Sequence, residues 1–240
     1  VTLQIRHRDD RMAHRNPHSA EETHSEGVSN VFDASLLSER LDSVVEAVSQ
    51  PGGSALLLGE PGAGKSRLAE AAAYLLEAEY EGRFSVTIVS TPPGPSSGHA
   101  AVFGLYFPEI LDPVIGSAPG DLTMPPAPLL ASRLRDAIFA RAAGRTPLLV
   151  VSDVHEYGPM PAFLLEQLVR LREVHIIATA QRLTGAADRV SRDPRVRRIT
   201  VSPLTIPEAD RYLGRVLGVA HIASPTLHRW HAATGGNIYA

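Results

Sequence analysis

Gly59-Glu60-Pro61-Gly62-Ala63-Gly64-Lys65-Ser66 fits the pattern G-x-x-x-x-G-K-[ST], and Lys65 is the only lysine among the 23 Lys and Arg residues of the 240-residue chain. The outer phosphates of a nucleoside triphosphate call for a compact ammonium on a flexible stem, a task that the bulkier planar guanidinium does less well. Gly59, Gly62 and Gly64 permit positive-φ turns and close approach of backbone to phosphate, and the Ser66 hydroxyl suits Mg²⁺. Gly59, Glu60, Pro61, Gly62, Ala63, Gly64, Lys65, Ser66 and Arg67 are therefore the candidate binding set for ATP or ADP. A glycine-rich turn capping an ordinary helix is the bland alternative.

A second constellation follows the apolar run 148–151, which leads into Ser152-Asp153-Val154-His155-Glu156. In nucleotide-hydrolysing folds with this loop, an apolar strand beside the loop's own strand ends in an acid that organises Mg²⁺, and a further carboxylate orients the attacking water. Asp153 and Glu156, with Arg182 further on, are the catalytic candidates, and Ser66 with Asp153 the candidate metal pair. Against this stands a plain reading of two loop carboxylates, one capping a helix over 161–172. His155 fits either a phosphate contact or a structural role. The run 174–179 ends in Ala180-Gln181-Arg182, so Thr179, Gln181 and Arg182 could sense the γ-phosphate, since parallel strands open their C-terminal ends toward one ligand edge. Arg189, Arg192, Arg195, Arg197 and Arg198 cluster just before a last strand. They suit either a finger acting on a neighbouring subunit or a solvated loop.

These residues need elements to hold them. Residues 54–58 read as a short buried strand, and 67–80, rich in strong helix formers, as the helix after the glycine loop. That order aims backbone N–H groups and a helix N-terminus at one phosphate chain. Further strands are expected at 84–90, 148–151, 174–179 and 197–201. Helices are expected over 32–48, where Leu36, Leu37, Leu41, Val44, Val45 and Val48 form a stripe, and over 129–143. Residues 91–128, crowded with Pro and Gly, suggest a long loop with a short helix near 102–105. The predicted fold is α/β, a P-loop NTPase of about five parallel strands between helices. Residues 1–30 read as a disordered polar tail with His7, His14, His18 and His24 irregularly spaced. Residues 31–202 form the nucleotide-binding domain, and 203–240 begin a small helical lid with helices at 208–217 and 223–233. Trp230 is expected in the core, with His231 near the nucleotide or the domain interface.

With 44% hydrophobic residues the chain can bury a sizeable core. It has no cysteine, hence no disulfide framework or thiolate site. A net charge of −3 is unlike the basic face of a nucleic-acid-binding module. No apolar stretch reaches membrane-spanning length, so a cytoplasmic protein without membrane contact is expected.

Taken in order, the glycine loop, the 148–155 segment, Ile177-Ala178-Thr179-Ala180-Gln181-Arg182, Leu204-Thr205-Ile206-Pro207-Glu208-Ala209 and Thr234-Gly235-Gly236-Asn237 resemble the ATPase module of large ATP-binding LuxR-type regulators, MalT-like members of the STAND, AAA-related group. The resemblance covers residues 32–240 and implies a slow ATPase acting as a switch in a transcription regulator. DNA would be reached only through a separate domain, and the nucleotide or a second copy of the chain would be the direct partners. Two positions depart from the family. Ile238 replaces the proline of a Gly-Asn-Pro turn, and the chain stops at Ala240, which suggests a switch module without its output domain. Ser152 stands where the first of two adjacent aspartates is usual, which should weaken metal organisation and slow hydrolysis while sparing phosphate binding. A ring-forming loader ATPase and a non-hydrolysing nucleotide-binding interaction module are the competing readings.

Overall fold

The computed structural model describes residues 38–80, 82–90, 101–111 and 125–237. The polar tail and most of the expected 91–128 loop lie outside them.

Five strands form one parallel sheet: β1 (Ser54–Leu58), β2 (Phe84–Val89), β3 (Thr146–Val151), β4 (His175–Ala180) and β5 (Val196–Thr200), in the order β2-β3-β4-β1-β5. Parallel neighbours need helical crossovers, and these cover both faces. One face carries α1 (Ser38–Ser49) and α2 (Lys65–Glu79), packing Val44, Val48, Leu68, Ala72 and Leu76 against Leu57, Leu148 and Ile177. The other carries α3 (Ala101–Tyr106), α4 (Ala127–Ala142), α5 (Pro159–Arg170) and α6 (Gly185–Val190), whose Phe103, Leu134, Leu165 and Ala187 meet Leu56, Leu149 and Ile176. Central strands sandwiched this way are largely apolar, and β4 is buried at every residue; edge strand β5 exposes Arg197, Arg198 and Thr200.

One expectation is corrected. β3 does not lie beside β1; β4 is inserted between them, so the acid-bearing strand is two places from the glycine-loop strand. Runs of apolar residues do not encode which buried strands are neighbours. α6 was also not anticipated: it is only six residues long, and its buried Ala186, Ala187 and Val190 sit among exposed charges.

Beyond β5 the chain forms α7 (Ile206–Leu217) and α8 (Ser224–Thr234). α7 starts with a capping box in which Thr205 and Glu208 exchange side-chain and backbone hydrogen bonds. The pair leans on the α1–α2 side of the core through Leu227, with half-buried Tyr212, Leu213 and Trp230. Arg40 ties it to α1 by donating to the Ser202 carbonyl at 2.9 Å and pairing with Glu208 at 3.4 Å. Burial pushes the Glu208 carboxyl upward, but the two Thr205 hydrogen bonds and the Arg40 and Arg211 charges prevail and hold it below its ordinary range.

Candidate functional site

β1 delivers the chain into residues 59–64 at the C-terminal edge of the sheet. Gly59 donates to the Ala180 carbonyl at 3.3 Å, and a Cβ there would sit 2.1 Å from the Val201 oxygen, so only glycine lets the loop leave between β4 and β5. Gly64, at φ +87°, is the N-cap of α2. Ala63 donates to Glu60 O at 3.2 Å and Leu68 to Gly64 O at 2.9 Å, which closes the loop and begins the helix.

Lys65 is 6% exposed, and its Nζ donates to the Glu60 carbonyl of its own loop at 2.8 Å. Burial lowers its pKa, partly opposed by the Asp153 and Glu60 carboxylates. Ser66 is exposed in the first turn of α2.

From the end of β3, Asp153 takes a left-handed backbone conformation, φ 50° and ψ 42°, uncommon for a residue with a side chain. A hydrogen bond from β4 supports it: the Asp153 N–H donates to Thr179 Oγ1 at 3.0 Å, and Thr179 is fully buried. The Gln181 N–H points at His155 Nδ1 from 3.4 Å. His155 has a side chain only 2% exposed, with Nε2 3.8 Å from a Glu156 oxygen.

Pro61, Gly62, Gly64, Lys65, Ser66, Arg67, Asp153 and Gln181 line one cavity of about 300 Å³. The structure thus gathers the glycine loop, the lysine, the hydroxyl of Ser66 and one carboxylate. Glu156, whose side chain is 59% exposed, and exposed Arg182 are not among the lining residues. Neither are Ser152 and Thr179. Among the described residues no group of three His, Cys, Asp or Glu side chains could hold a metal ion. Mg²⁺ needs no such cage, since it takes one or two protein oxygens and completes its shell with phosphate and water; the oxygens of Ser66 and Asp153 fit that demand.

Larger grooves of about 740 and 760 Å³ open away from this edge, the first between α5 and α6. Arg189 and Arg192 of the arginine cluster line that first groove with Arg170, and the charges there and beside it are largely paired: Arg170 with Glu166, Arg192 with Asp188 and Arg195 with Asp193, each at 2.6 Å. Arg197 pairs with Glu46 at 2.6 Å, and Arg198 donates to Ser191 O at 3.0 Å.

Sequence reasoning assigned no role at the site to Asn237. Its Nδ2 donates to the Pro61 carbonyl at 2.7 Å, across 176 residues. Gly62 carried the only local signal, a glycine at a position the motif leaves free. Trp230 is half-buried against the core, and His231 Nε2 lies 3.0 Å from Leu204 O.

Residues 36–179 match the model of a family described as AAA ATPase domain. Among solved structures, the ORC1 protein of Aeropyrum pernix in complex with DNA aligns with TM-score 0.57 at 16% identity, over 82% of this chain and 55% of that one. The replication initiator DnaA bound to AMPPCP and single-stranded DNA aligns with TM-score 0.52 at 17% identity, over 86% and 58%. A chain of the HORMA:CdnC:Trip13 complex of E. coli MS115-1 aligns with TM-score 0.52 at 12% identity, over 83% and 74%. The chain thus spans little more than half the length of the first and second of these. No curated protein matches it. No helix among the described residues is long and apolar enough to cross a membrane.

Proposed function

Because the chain belongs to the AAA ATPase domain family, we propose that it binds ATP with Mg²⁺ in the 59–67 cavity and serves as a regulatory switch that hydrolyses ATP slowly. The observation that carries this is the convergence of Lys65, Ser66 and Asp153, from two elements, on one cavity. In the mechanism, the N–H groups of the loop and the start of α2 receive the phosphates. Lys65 gives up its bond to Glu60 O and turns to the outer phosphates, which restores the charge partner its burial removes. Ser66 and Asp153 would hold Mg²⁺, which would supply charge neutralisation to the bound phosphates. Asp153 brings the one carboxylate of the cavity, braced by Thr179, and Gln181 stands at the mouth to read the γ-phosphate. With Ser152 where a second acid would stand, binding is strong relative to turnover.

The finer reading is an ATPase module of a LuxR-type regulator, with DNA contacted through another domain. It rests on the order of the motifs from the glycine loop to Asn237. A ring-forming loader, acting across subunits through Arg182 or the arginine cluster, is the alternative: Arg192, Arg195 and Arg197 have partners in the same chain, while Arg182 is exposed. Calorimetric titration with ATP and ADP, with and without Mg²⁺, tests the reading when phosphate release is followed on the same samples. Tight Mg²⁺-dependent binding and slow release are expected. A wild-type chain that binds neither nucleotide overturns it.

A further inference from the structure

Gly62 occupies a position that the loop pattern leaves open, yet the structure leaves no room there for any other residue. Its φ is +78°, and a Cβ would lie 1.9 Å from Asn237 Oδ1 and 2.5 Å from Nδ2. The amide of Asn237 therefore occupies the space a side chain at 62 would need, while its Nδ2 donates to the Pro61 carbonyl at 2.7 Å. In a trans peptide the C=O and N–H point opposite ways. Tethering the Pro61 carbonyl thus sets the direction of the Gly62 N–H, in a loop whose N–H groups take the phosphates.

Asn237 is itself held firmly. Its N–H donates to Thr234 O at 3.0 Å, and Gly236 O accepts from the Leu204 N–H at 2.9 Å. Gly236 is pressed so closely on Leu204 that a Cβ would sit 2.1 Å from the Leu204 oxygen. His231 reaches that oxygen at 3.0 Å. The turn after α8 is in this way tied to the segment that starts α7, and that segment to α1 through Arg40.

We infer that Asn237 is a positioning residue for the phosphate-binding loop, a strut from the α7–α8 pair, so that docking of this pair and nucleotide affinity are one linked equilibrium. This rests on residues 59–67 being the nucleotide site. Linkage makes the effect reciprocal: whatever the docked pair adds to ATP affinity, ATP adds to docking.

The test uses the whole chain with Mg²⁺ and ATP and reads two quantities, affinity by calorimetry and emission of Trp230, the single tryptophan, which reports on α8. Asn237→Ala removes the donor and is expected to weaken ATP binding about fivefold to tenfold. Asn237→Asp keeps the shape but turns a carboxylate oxygen toward a carbonyl and toward incoming phosphate, so about a further tenfold loss is expected. A residue that only fills space predicts the reverse order, Asp close to wild type and Ala worst. ATP should shift Trp230 emission in the wild type and much less in both variants, with their melting temperatures near that of the wild type. Wild-type binding together with undiminished affinity and emission response in Asn237→Asp overturns this inference alone. Absence of wild-type binding overturns it together with the nucleotide-site reading.

Discussion

The start and the end of β1 each lie beside a largely buried cation, and the surroundings of the two differ in kind. At the start, the Ser54 N–H donates to the Arg195 carbonyl at 3.1 Å, while the Arg195 guanidinium grips Asp193 at 2.6 Å and donates to Val169 O at 2.9 Å. The hydrogen bond to Asp193 raises the arginine's pKa, and the same bond lowers that of Asp193. At the end, Lys65 has a neutral backbone carbonyl for its hydrogen bond, and burial lowers its pKa. One cation has its charge answered within the fold by Asp193, although its buried Nη1 makes no hydrogen bond. The other carries a desolvation cost that a phosphate would relieve, and that contrast, more than the motif alone, marks which end is built for a ligand.

Removing each cation's stake in turn should separate the two ends. Lys65→Ala is expected to lower ATP affinity about 100-fold, while melting temperature stays level or rises because a buried charge has gone; calorimetric titration and thermal scanning read both. A marked loss of stability would erase the contrast. Asp193→Ala leaves Arg195 without its counter-charge in a site only a quarter open to solvent. Urea titration should show a loss of about 2 kcal/mol with ATP affinity within about twofold of wild type.

A smaller effect is expected from Thr179→Val, which deprives the Asp153 N–H of its acceptor and frees a strained residue. About 1 kcal/mol of stability should be lost, and phosphate release at saturating ATP should fall more than affinity does. Equal turnover in the variant would remove Thr179 from the account.

The two ends should also separate by pH. Asp193 has a folded-state pKa below its unfolded one, so its stabilisation is complete above the usual carboxylate range and is lost as pH falls through the folded value. The stability gap between wild type and Asp193→Asn should therefore close in acid. Lys65 has the opposite sign. With a folded pKa below the unfolded lysine value of about 10.4, its penalty is fully present below the folded value and fades as pH rises between the two. The wild type should gain on Lys65→Met over that alkaline interval, measured by denaturant titration at stepped pH.

Much of this was readable from the chain. Ser54–Leu58, the glycines, Lys65 and the helix after them are local and contiguous, so spacing and propensity suffice for them. β1, β3 and β4 are mostly apolar runs with punctuation at their ends, whereas β5 alternates buried Val196 and Ile199 with exposed Arg197, Arg198 and Thr200, and the parallel sheet between helices followed from the alternation of strand and helical segments. Strand order was not readable, because Leu148–Val151 and Ile176–Ala180 are equally apolar and either could flank β1. Nor was the left-handed backbone of Asp153, which depends on a hydroxyl 26 residues away. The bond from Asn237 to Pro61 is the extreme case: its partners belong to different layers, and no periodicity links them.

The crowding of Gly62 by Asn237 also restricts the order in which this sequence could change. A side chain at 62 has no space while the amide at 237 stays, whereas shortening residue 237 first would open the room at the expense of the strut. Substitutions at the two positions are therefore not interchangeable steps. Because the φ of +78° at 62 disfavours most side chains whatever the space, relatives of this chain should carry Asn or Asp at 62 only on backgrounds in which 237 has already become small, a one-way coupling between two sites that no local alignment window would contain.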